Sequence, residues 1–173
     1  NYEKAKSLLE KAIAVYQSSP HIFGITAYVN LGIIYGKLGQ YEKAKVLLEK
    51  SLVAYEKHYG KDHLKTARVL GSLGHIYLLE GNYEKAENFI GKALEISQKN
   101  KHPESYTSLE SLAELCLKKS IYEADKGDTR QTQTYRTQAI NSIKQALEVV
   151  KASFPEDSTH RIRIEEKLKK LER

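Results

Sequence analysis

Small and large apolar residues recur along this chain at helical spacing and in register. Ala5, Ala44, Ala86 and Ala139 form one column, with Ala12, Ser51, Ala93 and Ala146 seven residues further on. Between them, four residues after the first column, lie Leu9, Leu48, Ile90 and Ile143. Offsets of four and three put all three columns on one helix face, where small residues admit a neighbouring helix and the large one fills the gap. The pattern predicts helices, termed B, over roughly 2–17, 41–57, 83–99 and 131–152. A second stripe lies between them: Tyr28, Leu31, Gly32 and Tyr35 recur as Leu70, Leu73, Gly74 and Tyr77, then as Leu109, Leu112, Ala113 and Cys116. Offsets of three, four and seven predict A helices over roughly 21–37, 63–79 and 104–124. The turns Leu38-Gly39-Gln40 and Glu80-Gly81-Asn82 each carry a glycine suited to a helix C-terminus. Pro20 and Pro103 read as first-turn prolines, with Ser19 capping the former.

The tetrapeptide Tyr-Glu-Lys-Ala opens B helices at Tyr2, Tyr41 and Tyr83, with starts 39 and 42 residues apart. This is an internal repeat, and it predicts an all-α stack of antiparallel hairpins. Leu-Gly-x-x-Tyr, then Gly-x-Tyr-Glu-x-Ala, then a small residue seven on, resembles the tetratricopeptide repeat. The resemblance implies a right-handed superhelix, an α-solenoid, across nearly the whole chain. The long spacing is similar to that of kinesin light chain and Pins-like repeats. Tyr59-Gly60-Lys61-Asp62-His63 resembles the connector of kinesin light chain repeats, with Leu64 in place of the usual proline. We expect one domain over 1–173: an orphan B helix at 1–18, hairpins at about 20–58, 62–100 and 103–152, and a terminal helix at about 158–172.

Gly32 to Ala44 and Gly74 to Ala86 each span 12 residues, but Ala113 to Ala139 spans 26. The excess, near residues 121–134, keeps helical character, so both helices of the third hairpin should overrun and meet near Gly127. Asp128 and Gln131 have capping-box spacing for the second of them. A tolerated insertion at a hairpin tip and a projecting contact element both fit. The terminal helix, with Ile162, Ile164, Leu168 and Leu171 among many charges, fits a cap or the first helix of a further repeat.

Composition adds exclusions. No run of about 18 apolar residues exists, so no membrane insertion is expected. The chain has no Met, even at position 1, and reads as a piece of a longer protein. One cysteine, Cys116, fits a reducing compartment and a cytoplasmic protein; it reads as a buried, inert thiol. Net charge is +6, and the basic residues near the end (Arg161, Arg163, Lys167, Lys169, Lys170, Arg173) alternate with Glu165, Glu166 and Glu172. That is a solvated face without stacking aromatics, so nucleic acid is not an expected partner. Gly32–Lys37 superficially resembles a phosphate loop but lacks its spacing, its Ser/Thr and a preceding strand. His58 and His63 flank a loop with no zinc-ligand set. No catalytic, cofactor or metal residues are assigned, and the chain is not expected to be an enzyme.

In tetratricopeptide stacks the A helices line the inner groove. The residues one face round from the stripe are Thr26, Val29, Asn30, Ile33 and Lys37; Arg68, His75, Leu78 and Leu79; and Thr107, Glu110, Glu114 and Lys118. Gly36, Gly71 and Leu117 accompany them, and the terminal helix adds Arg163, Glu166 and Lys170. The set lacks the converging Lys, Asn and Arg of chaperone-binding repeats, so capture of a Glu-Glu-Val-Asp tail is not expected. Kinesin light chains carry an Asn-Asn pair before the Leu of each A helix; here only Asn30 matches. The predicted groove has an apolar floor, cations toward repeats 1–2 and carboxylates in repeat 3. It suits an extended or helical segment, acidic at one end and basic at the other, from a protein or peptide partner. The alternative is a structural, self-associating or intramolecular sensor segment.

Overall fold

The structure, a computed structural model, describes residues 2–16 and 22–173. Eight helices follow in order among them: α1 (Tyr2–Tyr16), α2 (Ile22–Lys37), α3 (Tyr41–Tyr59), α4 (Leu64–Leu79), α5 (Tyr83–Lys99), α6 (Ser105–Asp125), α7 (Thr129–Ser153) and α8 (Thr159–Leu171). Each packs on its chain neighbours, giving an α-solenoid in which α2, α4 and α6 are A helices and α1, α3, α5 and α7 are B helices. The expected proline at 20 and its Ser19 cap lie outside the described residues. Pro103 falls in the turn before α6 rather than in its first turn, its carbonyl accepting from the Tyr106 amide at 3.3 Å.

Three hairpin turns are closed by one device. The Gln40, Asn82 and Asp128 amides donate to the Tyr35, Tyr77 and Glu123 carbonyls at 2.8, 2.9 and 3.0 Å. The preceding residues Gly39, Gly81 and Gly127 have φ of +73°, +80° and +81°. This is the Schellman arrangement, whose left-handed residue is most easily glycine. The third hairpin keeps the same turn despite its extra residues. Its excess is taken up by lengthening α6 to 21 and α7 to 25 residues, and Asp128 caps α7 through its carboxylate, which accepts from the Gln131 amide at 2.9 Å. The overrun leaves Ile121 and Tyr122 exposed, with Lys126 Nζ lying 3.9 Å from the Tyr122 ring centroid.

The columns read from the sequence are the packing core. Ala44, Leu48 and Ser51, then Ala86, Ile90 and Ala93, then Ala139, Ile143 and Ala146 are all buried. The A-helix glycines oppose the large column. A Cβ on Gly32 would lie 2.9 Å from Leu48 Cγ, and one on Gly74 would lie 2.7 Å from Ile90 Cγ1. Cys116 is buried among α6 and α7 residues, and burial pushes its thiol pKa up. Ion pairs staple neighbouring repeats at the rim, Lys45 to Glu80 at 2.7 Å and Lys119 to Glu87 at 2.5 Å, while Lys99 to Asp62 ties the two ends of the α4–α5 hairpin. No helix among the described residues is long and apolar enough to cross a membrane.

Candidate functional site

The A helices converge on a cleft of about 430 Å³ between α2, α4 and α6. Ile33 and Lys37 reach it from α2, Arg68, His75 and Leu79 from α4, and Thr107 from α6. Leu79 supplies exposed apolar surface, being 39% accessible at the C-terminal end of its helix. Gly36 and Gly71 line it too, and Ile76 of α4 packs against Gly36, where an added Cβ would overlap Ile76 Cδ1. Lys37 and Arg68 are exposed and make no ion pair among the described residues.

Several predicted groove residues lie elsewhere. Val29 is buried with Leu48, Val69 and Leu73, and Leu78 with Ile90 and Leu115. Both belong to the seam between successive hairpins. An A helix in a solenoid is covered from two sides, by its own B helix and by the next repeat, so its buried arc is wider than a single stripe. Thr26 is turned to the Tyr55 hydroxyl at 2.8 Å. Asn30 is half-buried and Lys118 exposed, and neither lines the cleft.

The carboxylates are engaged within the chain. Glu110 is only 9% exposed and accepts from Arg163 Nη2 at 2.6 Å and Lys167 Nζ at 2.5 Å, both from α8. Glu114 faces His75, Oε2 to Nε2 3.7 Å. The His75 imidazole beside it holds the Glu114 carboxyl below its ordinary range, against an opposing push from burial. The basic-seeking end of the predicted groove is thereby closed. Of the terminal-helix residues, Arg163 is spent on Glu110, while Glu166 and Lys170 are exposed.

A carboxyl with a depressed folded pKa contributes stability that is complete above its unfolded value and is lost as pH falls through the folded one. A side-chain carbon NMR titration should place the Glu114 midpoint below its ordinary 4.5 and return it upward in His75→Leu. Equal midpoints in the two proteins would show that His75 does not set it.

The connector side of the cleft lies outside the helical stripes read from the sequence. His102, Glu104, Ser108 and Ser111 line it from the α5–α6 connector and α6. His102 is placed by a local bond, its Nδ1 accepting from the Glu104 amide at 3.2 Å, and His63 does the same for the Lys65 amide at 3.1 Å. The two histidines stand 39 residues apart, a recurrence visible in the sequence. Among the described residues no group of His, Cys, Asp and Glu could hold a metal ion.

A family model described as tetratricopeptide repeat matches residues 1–57 and, overlapping, 25–99. No curated protein matches the sequence. Among solved structures, a Q17M crystal structure of Podosopora anserina putative kinesin light chain nearly identical TPR-like repeats is similar with TM-score 0.68 at 18% identity. That likeness covers 98% of this chain and 76% of the other. BtubC (BKLC) from P. vanneervenii is similar with TM-score 0.61 at 18% identity, covering 99% of this chain and 73% of that one. These identities speak to the fold, which agrees with the repeat columns and the Schellman-closed hairpins. The chain belongs to the tetratricopeptide repeat family.

Proposed function

We propose that the α2–α4–α6 cleft holds a segment of a partner protein, with apolar side chains against Ile33 and Leu79 and carboxylates at Lys37 and Arg68. Tetratricopeptide repeats are generally protein–protein interaction modules, and a rigid stack offers a preformed surface so that only the ligand must be ordered. The observation that carries the reading is the imbalance of partners in the cleft. Glu110 and Glu114 are answered by α8 and His75, whereas Lys37 and Arg68 are not. An acidic, apolar segment complements such a surface better than the two-signed one expected from the sequence. Glu104, at the connector edge, would disfavour carboxylates there.

A displayed library of random dodecapeptides tests this. Enriched peptides should combine apolar residues with Asp or Glu. They should lose at least about tenfold in affinity, or 1.4 kcal/mol, to Lys37→Glu with Arg68→Glu. Leu79→Asp should weaken them as much, all variants keeping the parent melting curve. Peptides that bind the variants as tightly as the parent would place the working surface elsewhere.

A further inference from the structure

The third hairpin runs past its neighbours, and we propose that its overrun is the outer part of the partner site: Tyr122 and Ile121 take an apolar side chain of the bound segment where that segment leaves the cleft beyond Leu79. This rests on the cleft reading above and extends it. Aligned on Gly32, Gly74 and Ala113, the ends of α2 and α4 at Lys37 and Leu79 correspond to Lys118 of α6. From there α6 continues to Asp125, about 10 Å further at 1.5 Å per residue. Ala113 to Gly127 spans 14 residues where Gly74 to Gly81 spans 7, and Asp128 to Ala139 spans 11 where Asn82 to Ala86 spans 4. Each helix has thus gained seven residues. Seven residues are close to two whole turns, so the faces of each helix rotate by only about 20°. The stripe that lines the cleft is carried outward in phase. Ser111 lines the cleft, Lys118 follows seven residues later, and Tyr122 lies eleven residues after Ser111, which is about three turns.

The overrun is also inverted in polarity. Extra turns that served only to lengthen a hairpin would place their apolar residues between its two helices. Here Ser120 is buried and Gln131 and Thr132 are partly buried, whereas Ile121 is 58% and Tyr122 52% exposed. Tyr135 is partly buried beneath Lys119 Nζ, 5.4 Å from its ring centroid. The apolar surface therefore faces outward, on the side of α6 that continues the cleft. Leu79, itself partly exposed, ends the neighbouring A helix on that side, so the two apolar patches adjoin.

Charge selects the occupant. At the level of Leu79, Lys37 and Lys118 are exposed and make no ion pair among the described residues. Further out, Lys126 Nζ lies 3.9 Å from the Tyr122 ring centroid and 3.5 Å from Glu123 Oε1, and Asp125 is exposed at the tip. The ledge thus favours a carboxylate between Lys37 and Lys118 and an uncharged apolar or aromatic side chain on Tyr122, since a second carboxylate there would meet Asp125. Tyr122 lies four residues beyond Lys118, about 6 Å along the helix, a distance an extended chain crosses in about two residues. The bound segment is the acidic, apolar one that fits the cleft, with Asp or Glu two positions from an apolar residue.

The test uses the dodecapeptides enriched on the parent protein. Removing residues 120–126 and 129–135 takes seven from each helix, keeps the Gly127-Asp128 turn and restores 12 residues between Ala113 and Ala139, the spacing of the other hairpins. This shortened protein, and the double variant Ile121→Ser with Tyr122→Ser, should each bind the peptides at least about tenfold more weakly than the parent. The double variant should keep the parent melting curve, because both residues are exposed, and it decides alone if the shortened chain fails to fold. Changing the peptide's apolar residue to Ser should weaken binding to the parent by a similar factor and leave binding to the shortened protein unchanged. Peptides that lose affinity to Lys37→Glu with Arg68→Glu, yet bind both overrun variants as tightly as the parent, would overturn this inference and leave the cleft reading standing. Peptides that need Tyr122 but ignore the two cations would overturn the cleft reading and, with it, the overrun as its extension. A screen that enriches nothing on the parent would overturn both. Concentration-dependent dimerisation of the parent by light scattering, absent from the double variant, would assign the ledge to a second copy and overturn the inference equally.

Discussion

Gly74→Ala is expected to destabilise the protein by about 1–3 kcal/mol, whereas Gly71→Ala, one turn earlier in the same helix, is expected to stabilise it by about 0.5–1 kcal/mol. Both glycines lie inside α4, where the loss of backbone freedom on folding favours alanine. The difference lies in what a methyl group would meet. At 74 an added Cβ would lie 2.7 Å from Ile90 Cγ1, 3.0 Å from the Ile90 backbone nitrogen and 3.2 Å from Phe89 Cβ. The backbone nitrogen cannot rotate away, and Ile90 is fully buried between α4 and the next repeat. Relief requires α5 to move off α4, which opens the contacts around Ala86 and Tyr77. At 71 the nearest atom is Ala93 Cβ at 3.6 Å, an ordinary contact. Urea melts of the two variants against the parent check the pair. A stabilising change at both positions would show that α4 and α5 can separate without loss and that the glycine notch does not set their distance.

The same geometry explains what could be read in advance. The small–large–small columns are local along each helix and repeat four times, so burial of Leu48, Ile90 and Ile143 follows from spacing alone. The hairpin turns are equally local: a glycine with positive φ and two backbone hydrogen bonds suffice, which is why Gly127 could be placed despite the overrun. The groove was less legible because it depends on contacts between repeats. Val29 and Leu78 differ from true cleft residues only by which neighbouring hairpin covers them, and one stripe carries no information about that. His102 and Glu104 were missed because they sit in a connector, outside any helical period. Glu110 was misread for a different reason. Its partners, Arg163 and Lys167, lie 53 and 57 residues further along the chain. They reach it because α8 packs on α7 and extends its long cationic side chains to α6.

Removing both cations, Arg163→Ala with Lys167→Ala, should cost roughly 3–5 kcal/mol, while Glu110→Gln should cost only about 1 kcal/mol. The asymmetry follows from exposure. The cationic side chains are 50% and 47% exposed and regain water if the carboxylate is neutralised, but Glu110 is 9% exposed and cannot regain it while α8 remains in place. A carboxylate left buried without its partners is far more costly than two surface cations left without theirs. The loss is capped by the free energy of lifting α8, since detachment would rehydrate Glu110. Holding α8 down are the buried Ile164 and the Tyr106 hydroxyl, 2.9 Å from His160 Nδ1. The double variant should therefore lose protection against hydrogen exchange in α8 first, ahead of the cooperative unfolding of α2–α5. If it proves no less stable than Glu110→Gln and α8 stays protected, Glu110 is reaching water in place. The carboxylate would then be available to a ligand, and the cleft would regain the acidic end expected from the sequence.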